Sequence, residues 1–452
     1  MNQAKIQPET VERRRTGTNG LVDVLAFLIP CLWFVQFKIV GLLRGSDILC
    51  IVVCIVLALR LQFRITTPAG RWLIVLCSLW LASQCLTDVV RHSAFRDYTR
   101  GWSNIGMTVV YLAVLWTLLY ERPQRIVIFG WGLVLGAFLT YFINPTEFMT
   151  AGPWKFGLAF PVTLSVFLVA SLKECPGLWP VMLSALIGVT NLVMGARSAG
   201  GTCLAAAMYL VGIRMMRGRV SGKAKLRKGT IVLRAASIVL GIAGVIWAYG
   251  FAASSGILGE SAKSKYELQS SGKYGILLGG REELLGSIPA IYDSPILGHG
   301  SFARDPTYLI AARQALALMD YGDAENLSSE DLEEGYIPTH SYILGAWVSA
   351  GILGAVFWVW VWILVIRSLM RSYPASVTLL PISSFAAFSL LWDLLFSPFG
   401  AQERLTSTYY IVILMTCAAM ANSSPKQQLA VERKRSTKVV SGVELLRESE
   451  QT

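Results

Sequence analysis

Charged residues are scarce in this sequence of 452 residues. They make up 15% of the chain, against roughly 25% in soluble domains. Hydrophobic residues make up 54%, and the mean hydropathy is +0.54. This composition excludes a soluble enzyme, a disordered scaffold and a collagen-like fibre. Because a chain inside a bilayer must satisfy its own backbone hydrogen bonds, we expect an all-α polytopic membrane protein.

Histidine is also rare, and the cysteines show no metal-site spacing. The chain has three histidines and eight cysteines, and no Cys-x-x-Cys pair occurs. Seven of the cysteines fall in apolar segments, where buried thiols behave as small apolar residues. A His/Cys metal site therefore has little support, and we expect neither a metal nor a cofactor.

What the sequence does contain is a series of apolar segments of membrane-spanning length. They predict about twelve transmembrane helices, near 21–40, 46–62, 70–88, 101–120, 125–143, 156–172, 178–196, 200–216, 230–252, 341–367, 376–396 and 404–421. The second segment is short and the eighth is rich in alanine and glycine, so ten or eleven helices remain an alternative.

The lengths of the connections predict the organisation of the chain. Residues 1–20 and 422–452 form tails, 21–252 hold helices one to nine, and 341–421 hold helices ten to twelve. Residues 253–340 form one long loop, with two stretches of helical pattern from Arg281 and from Tyr308. A connection of this length is usually functional or disordered.

The net charge of +12 lies mostly in alternate short loops. Arginines 13 to 15 are in the N-terminal tail, and seven lysines and arginines lie between residues 214 and 228. By the positive-inside rule, this places both tails in the cytoplasm and the long loop outside. The same charges attract membrane lipids. Since no exposed mixture of basic and aromatic residues on a soluble fold is predicted, we expect no nucleic-acid partner.

Three ionisable residues fall at the predicted outer face. Arg197 lies in a small-residue stretch, Arg281 follows two glycines, and His340 precedes the tenth helix. An ionisable group near membrane depth is costly and is often functional. The competing interpretation of Arg197 is an arginine that extends its guanidinium to the membrane interface. The competing interpretation of His340 is a histidine at the interface or one that caps a helix.

The order of these residues carries a resemblance. Arg197, Gly280-Arg281, the segment Tyr292–Gly300, His340-Ser341 and the segment Gly351–Gly354 occur in the order seen in one group of membrane proteins. In this order and spacing the chain resembles the O-antigen ligase and polysaccharide polymerase superfamily. It departs from the ligase pattern at Ala355-Val356, where the ligases have two threonines. A second departure is Ala196, where serine is frequent.

The resemblance implies transfer of a glycan from undecaprenyl pyrophosphate to an acceptor hydroxyl at the periplasmic face of a bacterial inner membrane. The acceptor is lipid A-core in a ligase and another lipid-linked repeat unit in a polymerase. Arginines suit the pyrophosphate because they stay charged and bind phosphate oxygens in pairs. A histidine suits proton removal from the hydroxyl. We therefore expect His340 as the base, and Arg197 and Arg281 as pyrophosphate ligands.

Several other residues are secondary candidates. Arg100 and Lys155 lie in predicted outer loops and would add positive potential, although ordinary surface charge is the better explanation of each. Asp393, at the outer end of the eleventh helix, has two alternatives of comparable weight: it orients His340, or it pairs with Arg404.

Two other functions remain open at this point. A lipid-linked-oligosaccharide flippase or polysaccharide transporter would also use many helices and interior arginines, but such proteins usually contain internal repeats and bind near the bilayer midplane. The two halves of this chain show no repeat, and its polar candidates gather at one face. A non-catalytic membrane assembly partner would need no arrangement of arginines and histidine.

Overall fold

A computed structural model describes residues 9–37, 41–65, 67–172, 178–217, 244, 249–256, 259–270, 283–318, 335–371 and 379–422. Within these residues the chain is helical apart from loops and one two-stranded antiparallel sheet. Six of the described helices are long and apolar enough to cross a membrane, and four shorter apolar helices accompany them. The expectation of an all-α membrane protein is confirmed at this level. The ninth predicted span, 230–252, lies almost wholly outside the described residues.

The described residues of the first half of the chain form nine helices and the small sheet. They are α1 (Glu9–Cys31) with a 3-10 turn (Leu32–Phe34), β1 (Gln36–Phe37), β2 (Leu43–Arg44), α2 (Gly45–Leu59), α3 (Pro68–Arg91), α4 (Phe95–Leu119), α5 (Pro123–Ile143), α6 (Glu147–Ala151), a π-helical turn (Pro153–Leu158), α7 (Ala159–Leu172), α8 (Trp179–Val193) and α9 (Arg197–Arg217). Neighbours in sequence pack as α3 on α4 and α8 on α9, while α1 packs on α5.

The second half contributes seven described helices. They are α10 (Glu260–Ser270), α11 (Glu283–Asp293), α12 (Pro306–Leu318), α13 (Tyr342–Ala350), α14 (Ile352–Leu369), α15 (Leu380–Phe396) and α16 (Glu403–Asn422). The first three belong to the long loop, and α11 and α12 confirm that its two helical-pattern stretches are helices. We call the end of the bundle that carries this loop the loop end.

Local sequence signals explain where several helices begin. The Thr67 hydroxyl accepts a hydrogen bond from Gly70 N at 3.2 Å, and Pro68 occupies the first turn of α3. Similarly, the Ser341 hydroxyl accepts from Leu344 N at 3.2 Å at the start of α13. Both arrangements satisfy amide groups that have no partner within a helix.

The prediction of one continuous tenth helix over 341–367 is wrong. The chain breaks at Gly351, between α13 and α14, where φ is +68° and ψ is −162°. A Cβ at this position would overlap the carbonyl oxygen of Ile296 and lie 2.8 Å from the carbonyl carbon of Leu297. The long loop thus contacts the backbone at the break, and only glycine allows this approach. Uninterrupted hydrophobicity across 341–367 gave no sign of it.

Two hydrophobic cores hold the structure together. In the main core, the Trp80 ring of α3 packs against Phe357, Trp358 and Phe399 with ring centroids 5.5 to 5.6 Å apart. A smaller core joins the loop helices to α13 and is formed by Ala290, Tyr308, Ile337 and Val348. The loop helices are therefore packed onto the bundle, and they fix the chain that leads into α13.

Candidate functional site at the loop end of the bundle

A cavity of about 290 Å³ lies at the loop end. Its walls come from the ends of several elements: the 3-10 turn after α1, the π-helical turn, the first turns of α9 and α16, and the last turns of α15. We call it the loop-end cavity. Residues of α5, α6 and α7 complete the lining, so the side chains that meet here are far apart in sequence.

The lining of the cavity combines charged, hydroxyl and aromatic groups. Two carboxyl groups and one ammonium group are present, from Asp393, Glu403 and Lys155. Five hydroxyl side chains line it, namely Thr163, Ser198, Thr202, Ser389 and Thr406. The aromatic side chains are Trp33, Phe156, Phe160, Phe385, Trp392 and Tyr410. An apolar wall with a few convergent polar groups is typical of a small-molecule site.

Two of the secondary candidates line this cavity. Lys155 extends from the π-helical turn, with its Nζ 4.5 Å from the centroid of the Phe156 ring. Asp393 lies near the end of α15, where its carboxylate accepts a hydrogen bond from the Ser397 hydroxyl at 2.8 Å. Of the two alternatives for Asp393, neither appears as a contact among the described residues, where Arg404 is ion-paired with Asp47.

Arg197 lies beside the cavity. It is the first residue of α9 and half-buried, and its Cζ is 5.5 Å from the centroid of the Tyr249 ring. The next residue, Ser198, lines the cavity. A helix N-terminus carries partial positive charge, so the guanidinium and the helix end both favour an anion at this edge of the cavity.

His340 lies at the same end of the bundle but is not among the residues lining the cavity. It is exposed, and it ends the segment 335–340 that hydrogen-bonds to the loop through Ile337 N and Ala303 O at 3.1 Å. The following Ser341 is buried, and its hydroxyl donates to Leu394 O at 2.7 Å. His340 therefore directly precedes a residue that is hydrogen-bonded to the backbone of Leu394, the neighbour of Asp393 in sequence. Arg281 lies outside the described residues.

Arg100 is placed against the long loop instead of the cavity. It lies on α4, and its Cζ is 4.2 Å above the centroid of the Phe302 ring. This is a cation–π contact, which explains the residue as part of the packing between α4 and the loop. Its role as a substrate ligand has no support from this position.

The Asp88 carboxylate joins the loop to α3 and α4. It accepts five hydrogen bonds, from Ser93 Oγ at 2.7 Å, Trp102 Nε1 at 2.8 Å, Gln84 Nε2 at 3.2 Å, and Ser301 N and Oγ at 2.6 and 2.7 Å. All of these donors are neutral, and Asp88 is 2% exposed. The number of donors satisfies the lone pairs of a buried carboxylate.

The segment from Ser294 to Ser301, part of the motif that carries the resemblance, makes further contacts with the bundle. His299 N donates to Val348 O at 2.7 Å and Gly300 N donates to Ser349 O at 3.0 Å. The Arg91 guanidinium reaches the Ser294 hydroxyl at 2.7 Å. The structure thus brings two distant motifs together: this segment and Gly351, at the break between α13 and α14.

A buried ion pair stands next to the cavity. Asp47 accepts from Arg44 N at 2.6 Å and from the Tyr111 hydroxyl at 2.5 Å, and it pairs with Arg404. The Arg44 guanidinium donates to Trp33 O at 2.9 Å and lies 4.1 Å above the centroid of the Trp33 ring. Burial lowers the pKa of Arg44 to about 10, opposed by the attraction of Asp47. This network fixes Trp33 in the cavity wall.

Ionisation in the loop is also shaped by burial. The Tyr308 hydroxyl in the smaller core donates to Asp293 Oδ2 at 2.7 Å. Burial raises the pKa of Tyr308 to about 12, and the hydrogen bond to Asp293 acts in the same direction. Tyr308 therefore stays protonated at neutral pH and serves as a structural donor.

Sequence reasoning missed Glu403 and Trp33. Glu403 directly precedes the predicted twelfth helix, so the rule that marks ionisable residues at membrane depth as functional candidates applied to it. Trp33 lay within the first predicted span, where nothing distinguished it from other apolar residues.

No protein-family model matches the sequence, and no curated protein matches it.

Proposed function

We propose that the chain is a membrane glycosyltransferase that transfers a glycan from undecaprenyl pyrophosphate to an acceptor hydroxyl. The observation that carries the proposal is the loop-end cavity. It has Lys155 and two carboxyl groups in its wall, Arg197 at its edge, and His340 on the segment anchored beside Asp393. This grouping of ionisable side chains at one end of an apolar bundle suits a reaction between lipid-linked and polar substrates at a membrane surface.

In the proposed reaction, His340 takes the proton of the acceptor hydroxyl. The acceptor oxygen forms a bond to the anomeric carbon of the glycan, and the bond from that carbon to the pyrophosphate oxygen breaks. Undecaprenyl pyrophosphate leaves with the electron pair of the broken bond. Arg197 and Arg281 compensate the negative charge that grows on the leaving group, and such preorganised charges are most effective where water is partly excluded.

The proposal includes a topology. About twelve helices cross a bacterial inner membrane, both tails are cytoplasmic, and the loop end faces the periplasm. Basic residues in the opposite loops support this orientation. The donor is a lipid-linked glycan, and the acceptor is either lipid A-core or the end of another lipid-linked chain.

A pair of matched histidine variants tests the assignment of the base. His340→Asn removes the imidazole from the proposed site, while His92→Asn makes the same change at an exposed histidine at the end of α3. His92 has φ of +52°, a conformation that asparagine tolerates. We expect His340→Asn to lower transfer at least about 100-fold, the usual contribution of a general base, and His92→Asn to leave it unchanged.

The readout is surface glycan on cells in which the variant replaces the wild-type chain at equal membrane abundance. Normal glycan with His340→Asn contradicts the base assignment. In cells that lack the chain, lipid-linked polymer that accumulates without attachment indicates a ligase, and single repeat units without polymer indicate a polymerase. Loss of lipid-linked sugar from the outer leaflet indicates a flippase.

A further inference from the structure

The loop-end cavity has a composition that suits a sugar better than a pyrophosphate. Asp393 and Glu403 both line it, and among the described lining residues Lys155 is the one cationic side chain. Two carboxyl groups beside a single ammonium group leave no excess of positive charge to hold an anion. Carboxylates are acceptors only, and they bind hydroxyl donors with charge-assisted hydrogen bonds.

The size of the cavity limits what it holds. A volume of about 290 Å³ is at the lower end of the range of small-molecule sites, roughly 300–1,000 Å³. This suits one sugar ring better than a long undecaprenyl chain. Hydroxyl side chains from α7, α9, α15 and α16 are spread around the wall, so a ring with several hydroxyls meets partners on more than one side.

We propose that the loop-end cavity binds one neutral sugar ring of the acceptor glycan, with Glu403 and Asp393 accepting hydrogen bonds from its hydroxyls. This inference rests on the proposed glycosyl transfer and assigns the acceptor subsite within it. The donor pyrophosphate then lies outside the cavity, on the side of Arg197, where the start of α9 favours negative charge.

The test uses the full-length protein in lipid nanodiscs, with methyl glycosides of neutral hexoses as probes and saturation-transfer NMR as the readout. We expect at least one probe to bind the wild type. Glu403→Gln keeps the shape of the side chain but removes its charge, and we expect it to weaken binding at least about tenfold. The control is Glu147→Gln, an exposed glutamate at the same end that does not line the cavity.

Asp393→Asn makes the matching change at the second carboxyl group of the lining, so it tests the cavity should Glu403→Gln fold poorly. It should also weaken probe binding, and inorganic pyrophosphate should not displace the probe. Three results would each overturn the inference: no probe binds the wild type, both variants bind as the wild type does, or pyrophosphate competes with the sugar.

Failure of this inference is separable from failure of the proposed function. A wild type that transfers glycan but binds no probe refutes the acceptor subsite alone. A wild type that binds the probe through Glu403 but forms no glycosidic bond refutes the transferase and leaves a sugar-binding cavity.

Discussion

Replacing Gly351 with alanine should detach the long loop from the helical bundle. The residue combines a backbone conformation of φ +68° and ψ −162° with the contact to Ile296 described above. Non-glycine residues in that region are strained by about 1–3 kcal/mol. The added methyl group also requires the segment after Ser294 to move, because the atoms in its way are backbone atoms of Ile296 and Leu297.

The movement would break hydrogen bonds as well. His299 N and Gly300 N donate to the carbonyl groups of Val348 and Ser349, and each bond contributes about 1 kcal/mol. These two bonds and about 2 kcal/mol of backbone strain should together lower the free energy of local opening by about 4 kcal/mol. At 1.4 kcal/mol for each factor of ten, amide exchange in this segment should accelerate about 1,000-fold.

Hydrogen–deuterium exchange with mass spectrometry measures this directly on peptides that cover 294–302. Gly345→Ala is the matched control, because a Cβ there makes only ordinary contacts with the Thr339 side chain, at 3.6 and 3.7 Å, and alanine favours the helix by up to about 1 kcal/mol. Its exchange should match that of the wild type. Equal protection in Gly351→Ala and Gly345→Ala would refute the reasoning that the loop depends on the break between α13 and α14.

Two further predictions concern buried carboxylates. Asp88→Asn should accelerate amide exchange in the same segment by about 10- to 100-fold. An amide offers only one acceptor oxygen, and its NH₂ group would face the donors of Ser301. Unchanged exchange would contradict the role of this carboxylate in loop attachment. Arg404→Met should destabilise the protein by about 3–5 kcal/mol, because it leaves Asp47 buried without its ion-pair partner. Thermal unfolding in detergent measures this loss of stability. The double variant Asp47→Asn/Arg404→Met should recover part of it. A double variant less stable than Arg404→Met would contradict the ion-pair account.

Much of the helical architecture was predictable, because membrane helices have a simple requirement for length and apolarity. The predicted spans 70–88, 101–120 and 125–143 correspond to α3, α4 and α5, which start a few residues earlier. The start of α4 was misjudged most, because polar residues such as Arg96 and Asp97 belong to the helix. Helix limits depend on caps and neighbours that hydropathy does not measure.

The break at Gly351 and the attachment of the loop were not predictable in the same way. Asp88 and Ser301 are separated by 213 residues, and Asp47 and Arg404 by 357. Nothing in a local sequence pattern indicates which partner a buried carboxylate finds at that distance. The motif Tyr292–Gly300 was visible as a pattern, but its structural purpose emerged only from its contact with Gly351.

The candidate site was partly predictable. Ionisable residues at membrane depth identified Arg197 and Asp393, since their cost in an apolar environment requires a reason. Their arrangement required the fold: Lys155 reaches the same cavity as Asp393 because the π-helical turn and α15 end at the same level. Glu403 was missed although it directly precedes the predicted twelfth helix, because its place in the cavity wall depends on how α16 packs beside α15.

The central claim is that a new glycosidic bond forms at the loop end at the expense of undecaprenyl pyrophosphate. The most direct measurement reconstitutes the purified chain in liposomes with a synthetic undecaprenyl-pyrophosphate-linked glycan and an acceptor glycan, and follows both products by mass spectrometry. The account predicts extended acceptor and undecaprenyl pyrophosphate in equal amounts, with both lost in His340→Asn. Lipid-linked glycan that crosses the bilayer with its pyrophosphate linkage intact, and no extended acceptor, would contradict it.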